Sequence, residues 1–232
     1  EMTSSLVGSE MCIRDSMKRA AALGAALVLC VSCFAGCGSK DSSGNTSNPT
    51  SRTAMEDLDY GATLRIDKKA YGVPMQYDKR FFEDEASLQV IGNYYRSIAE
   101  NDSALFEQVQ LPAYLDYTIK TVHKSEFTTA ELVQATHDSW KEHMDGDFAI
   151  SLVDIVGCEV SRTYTGITTI LDMLDSIQEG ISGKIDVIYE LTVDVYLTPA
   201  DSGIVGLETQ TKKDGQVLFL FHVDDQWYLI YN

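Results

Sequence analysis

The chain has 232 residues, 44% of them hydrophobic, with 18 Lys and Arg against 35 Asp and Glu and a formal net charge of −17. That excess of acid excludes a protein that tracks nucleic-acid phosphates or sits on anionic lipid through charge alone. Four of the five cysteines (Cys12, Cys30, Cys33 and Cys37) fall at or before position 37. Only Cys158 remains in the rest of the chain, which excludes a disulfide framework and a cysteine-based metal site.

Residues 1–16, EMTSSLVGSEMCIRDS, resemble translated sequencing-adapter read-through, and the natural start is read as Met17. From there MKRAAALGAALVLCVSCFAGC places two cations, Lys18 and Arg19, before a 15-residue apolar run from Ala20 to Phe34. This is the layout of a secretory signal peptide. The run is shorter than the about 20 residues that a stable span needs. Phe34, Ala35, Gly36 and Cys37 resemble a bacterial lipobox, with Phe34 where the pattern prefers Leu. The resemblance implies cleavage between Gly36 and Cys37 and lipid on the Cys37 thiol, so that 17–36 is a signal peptide. The expected location is then the extracytoplasmic side of a cell membrane. Loss of residues 1–36 removes Arg14, Lys18 and Arg19 together with Glu1, Glu10 and Asp15, so the charge stays at −17.

Residues 37–57 are expected to form a tether. The stretch GSKDSSGNTSNPTSRTA from Gly38 to Ala54 carries no apolar side chain larger than alanine or proline and cannot order itself by burial. A coil of that length spans roughly 20–25 Å. Residues 58–82 read as an N-terminal arm, with a weak strand alternation at Leu64 and Ile66 and a break at Tyr71-Gly72-Val73-Pro74.

Residues 83–232 read as one α+β domain. Leu88, Ile91, Tyr95 and Ile98 recur at helical spacing over 85–100, with Tyr94 widening the stripe into a core surface. Asp102 is placed to cap a short helix carrying Leu105, Phe106 and Val109. Pro112 suits the first turn of the next helix. Thr128 and Glu131 have capping-box spacing for a helix through Trp140 and Met144. The period then changes to two. Phe148, Ile150, Leu152, Val156, Cys158 and Val160 share one parity, and Asp154 is its polar exception. A helix follows with Ile167, Ile170, Leu171, Leu174, Ile177 and Ile181 as its stripe. The clearest strand puts Ile185 to Leu197 at alternate positions toward a core and Asp186, Glu190 and Asp194 toward water. A third strand is expected at Val205 to Thr211, a hairpin at Asp214-Gly215, a fourth strand at Val217 to Val223, and a last turn at Asp224-Asp225.

The expected architecture is N-terminal helices packed on one face of a curved antiparallel sheet. NYYRSIAENDSALFEQV and FLFHVDDQWYLIYN resemble the first helices and the closing hairpin of the nuclear-transport-factor-2-like cone fold. Small lipoproteins of Gram-positive bacteria carry such domains behind a Gly/Ser tether. The resemblance implies a pocket between sheet and helices. In enzymes of that fold, an acid or a Tyr/Asp pair in the pocket moves protons, which makes Asp154, His222 and Tyr95 the residues to place. For Asp154 a register change that turns it to solvent is the favoured reading. For His222 a satisfied or solvated side chain is favoured over a catalytic one.

No catalytic signature competes. HExxH, GxSxG, Walker and dinucleotide-binding loops are missing from the sequence. His137 and His143 are six residues apart, about 600° around a helix, and cannot share a metal. The expected function is a membrane-anchored, non-catalytic binding or accessory domain for a small ligand or surface protein. It would be held by lipid on Cys37, without cofactor, metal or nucleic acid, and monomeric. The alternative is a cone-fold enzyme of isomerase, hydratase or hydrolase type using a buried acid. A two-lobed solute-binding protein is disfavoured by size and by the terminal run of strands.

Overall fold

The computed structural model describes residues 63–82, 85–124, 127–201 and 211–231. The lipobox, the tether and all but Thr211 of the strand expected at Val205 to Thr211 lie outside these residues. Six strands form one sheet in chain order: β1 (Thr63–Ile66), β2 (Met75–Asp78), β3 (Phe148–Glu159), β4 (Ile185–Pro199), β5 (Thr211–Val223) and β6 (Gln226–Tyr231). Every neighbouring pair is antiparallel except β2 and β3, which run parallel. The arm therefore contributes β1 and β2 to the sheet, and its Val73, Met75, Tyr77 and Phe81 are buried with the rest of the core.

Between β1 and β2 a single turn of helix, α1 (Lys68–Tyr71), starts on Asp67 and ends at Gly72 in the left-handed region. The next helices are α2 (Glu85–Glu100), α3 (Ser103–Val109) and α4 (Pro112–Tyr117), the last continuing into a wide π-type turn. Leu88, Ile91, Tyr95 and Ile98 are each at most 1% exposed, as their spacing requires. Asp102 accepts the Leu105 N–H at 3.0 Å and starts α3. Helix α5 (Thr129–His143) opens on the full capping box: Thr128 Oγ1 accepts from Glu131 N, and Glu131 Oε2 accepts from Thr128 N. That reciprocal cap satisfies two donors the helix cannot pair internally.

Helix α2 packs with α3 and α5 over Met75, Val153, Ile155, Leu191, Val193, Leu218, Leu220 and Leu229. Tyr94, Tyr95, Phe106 and Trp140 fill this layer with aromatic contacts, Tyr94 to Tyr95 at 5.1 Å and Tyr95 to Trp140 at 6.3 Å between ring centres. The expectation of helices on one face only is corrected here. Helix α6 (Thr165–Ile177) lies on the opposite face, where Ile167, Ile170, Leu171 and Leu174 pack with Leu111 against Ile188, Phe219, Phe221 and Ile230. The alternation of β5 and β6 explains it. Leu218, Leu220 and Leu229 serve one layer, while Phe219, Phe221 and Ile230 serve the other.

Bulges correct two further expectations. The β3–β4 register shifts between Ile150 and Leu152 and again between Ile155 and Gly157. Each extra residue reverses the side-chain parity. Val153 and Ile155, not Leu152 and Val156, therefore enter the first core. Asp214-Gly215 is not a hairpin. It sits inside β5 where the register steps from Val193–Gln216 to Val195–Lys213, with Gly215 at φ 63°. The true two-residue turn is Asp224-Asp225, where both residues have positive φ, 51° and 62°, suited to the twist of a tight hairpin.

Candidate functional site

The structure separates the three residues that the sequence singles out. Tyr95 is fully buried on α2, and its hydroxyl donates to Gln216 Oε1 at 3.0 Å. Burial pushes its phenol well above the ordinary tyrosine range. Asp154 alternates with Val153 and Ile155 and so faces the other side of the sheet. It is half-buried, and Gln76 Nε2 lies 3.3 Å from both of its oxygens. Desolvation raises its pKa, partly offset by the Gln76 hydrogen bond. His222 lies near the end of β5, where Nδ1 is 2.8 Å from Asp186 Oδ1 and the ring is 5.1 Å from Trp227. Asp186 is held below the usual carboxylate range by its hydrogen bond from His222, against a desolvation penalty. No pair among Tyr95, Asp154 and His222 shares a hydrogen bond, so they do not assemble an acid–base unit.

The row Asp186, Glu190 and Asp194 is not a solvated outer face. Asp186 occupies a bulge between Ile185 and Val187 and is exposed. Asp194 is 8% exposed. It accepts the Gly215 N–H at 2.9 Å and the Lys212 ammonium at 2.7 Å, which pins the β5 bulge. Glu190 lies under the first turn of α6. Its Oε2 is buried against Gly166 and has no hydrogen-bond partner.

Glu190 is also paired across the ladder with Glu159. Glu159 Oε1 is satisfied by the Val160 and Ser161 N–H groups at 2.8 and 2.7 Å. Desolvation, reinforced by the Glu159 charge, pushes the Glu190 carboxyl up to about 7. The Glu190 charge, with desolvation and the Glu159 charge, in turn raises the phenol of the exposed Tyr164. A carboxyl poised there can gain and lose a proton near neutrality. Close packing of the α6 backbone on Oε2 leaves a substrate atom no room on that side. Sequence reasoning missed this pair because its signal is a third-dimensional one. Gly166, the small residue that lets α6 close over Glu190, is unremarkable in the string.

Among the described residues, no group of three or more His, Cys, Asp or Glu is placed to hold a metal ion. No helix among them is long and apolar enough to cross a membrane. No protein-family model, curated protein or solved structure matches the chain.

Proposed function

We propose that this chain is a lipid-anchored extracytoplasmic protein whose α+β domain, of the cone type, binds a small ligand or a surface partner without catalysing a reaction. The observation that carries the anchor is the sequence order of Lys18-Arg19, a short apolar run, and Phe34-Ala35-Gly36-Cys37 followed by a polar tether. That order has a physical logic. Cations stay on the cytoplasmic side, the short run enters the bilayer, and small residues open the backbone before the cysteine to a peptidase. More than one acyl chain would then give stable anchoring.

The filled layer between α2 and the sheet supports the non-catalytic half. Tyr94, Tyr95, Phe106 and Trp140 are buried there in ring contact, and their side chains take up the space between α2 and the sheet. Asp154 lies on the far side of β3 from that layer.

The test is intact mass of the protein expressed from Met17 in a bacterium, with wild type beside Cys37→Ala and membrane fractionation. The expected result is a membrane-bound chain beginning at an acylated Cys37, and an unprocessed Cys37→Ala chain. An unlipidated wild-type chain cut at another site removes the anchor.

A further inference from the structure

A groove lies between the C-terminal end of α2, the single turn α1 and the start of β3, on the opposite side of the sheet from α6. It encloses about 130 Å³ and is bordered by Lys68, Val73, Arg96, Glu100, Phe148 and Ile150, with smaller residues between them. Val73, Phe148 and Ile150 are core side chains, only 3%, 8% and 8% exposed, so the apolar floor they give the groove is narrow.

Its polar side is unfinished. Arg96 Nε is buried and has no hydrogen-bond partner. Glu100 Oε2 is 3.8 Å away, an ion-pair distance without a hydrogen bond. The Arg96 and Glu100 side chains remain 36% and 54% exposed, so the ion pair between them is screened and weak, and the exposed part of the guanidinium can take an acceptor from outside. Gly72 holds the arrangement in place. A side chain at position 72 would press on Arg96, with its Cβ 2.9 Å from Cδ and 3.4 Å from Nη1.

Two cations, one distant carboxylate and a short hydrocarbon floor define a ligand class. We propose that this groove binds a small monocarboxylate with a short apolar chain, its carboxylate held by Arg96 and Lys68 and its hydrocarbon laid on Val73, Phe148 and Ile150. Arginine suits the role because its planar fork matches a carboxylate. The volume admits roughly eight to ten heavy atoms, counted as water-sized groups. A phosphate fits less well, because it would leave the apolar floor uncovered. The inference rests on the reading of the domain as a binder of small ligands and adds the chemistry of one.

The experiment titrates sodium hexanoate into the full chain, followed by backbone amide NMR shifts, with hexanol as the uncharged control. The expected result is saturable shifts at Gly72, Val73, Phe148 and Ile150, with hexanol bound about tenfold more weakly or worse. Arg96→Gln should weaken hexanoate about tenfold and leave hexanol unchanged. Lys68→Gln, an exposed change that does not threaten the fold, should weaken hexanoate to a smaller extent. Equal affinity for hexanoate and hexanol, or an Arg96→Gln variant that binds hexanoate like wild type, overturns the proposal. Saturable hexanoate shifts confined to another part of the domain overturn this site and leave a ligand-binding domain standing. Absence of saturable shifts anywhere overturns the ligand class, while the lipid anchor is judged separately by mass.

Discussion

Glu190 faces Glu159 directly across the β3–β4 ladder, and the first turn of α6 closes over the Glu190 carboxylate at Gly166. Folding thus favours the protonated Glu190, whose pKa rises from 4.5 to about 7. The stabilising effect is fully present below 4.5 and has gone once pH has risen through about 7. Glu190→Gln keeps the shape and removes the titration. The variant should lose less stability than wild type between pH 5 and pH 8, by about 1–2 kcal/mol after allowance for solvent screening of a half-exposed group. Thermal unfolding at both pH values reads this as a difference of about 3–6 °C in the change of Tm. Parallel curves for the two proteins would refute it.

Gly92 is in the middle of α2, where replacement by alanine ordinarily helps a helix by about 1 kcal/mol. Here a Cβ would collide with the Tyr71 carbonyl and press on the Tyr71 Cβ. The backbone of α1 would have to move away from α2. Gly92→Ala should therefore destabilise by about 2 kcal/mol or more. Chemical denaturation measures it, and an increase in stability would show that α1 is not packed on α2 as described.

Asp194 ties three parts of the β4–β5 ladder together by accepting from Gly215 N–H and the Lys212 ammonium. Asp194→Ala removes both bonds and leaves the bulge without its acceptor. The expected cost is about 1–3 kcal/mol, concentrated in faster hydrogen exchange at Gly215 and its neighbours. Asp194→Asn, which keeps an acceptor oxygen, should recover part of the loss. Equal exchange in all three proteins would mean the bulge is held by the ladder alone.

Local signals carried much of this fold in the sequence. The stripe of Leu88, Ile91, Tyr95 and Ile98 and the Thr128–Glu131 capping box each depend on residues within a few positions, and both are realised as read. The β4 alternation is realised in part: Tyr189, Leu191, Val193, Val195 and Leu197 share one core, but Ile185 enters the other layer and Glu190 and Asp194 do not face water. Apart from Asp154, whose polar side chain in an apolar parity pointed to a register change in β3, the bulges were not legible. Asp214-Gly215 has the chemistry of a tight turn, and a positive φ at Gly215 serves a bulge equally well. The shift at Ser151 depends on the partner strand, so the parity of Val153 and Ile155 could not be read from β3 alone. Amphipathic spacing likewise reveals that α6 has one apolar face but not which side of the sheet it covers. The candidate site suffers most from this. Glu190 and Glu159 are 31 positions apart in the sequence and meet only through the register of two bulged strands.

Strands β5 and β6 send consecutive residues into different layers: Leu218 and Phe219, Leu220 and Phe221, Leu229 and Ile230. They are a party wall between two rooms. Neither room can be vacated while the other stays furnished, because the same backbone carries both sets of side chains. Unfolding of the domain should accordingly be one event, with the Trp140 fluorescence of the α2 side and the backbone signal of α6 lost together.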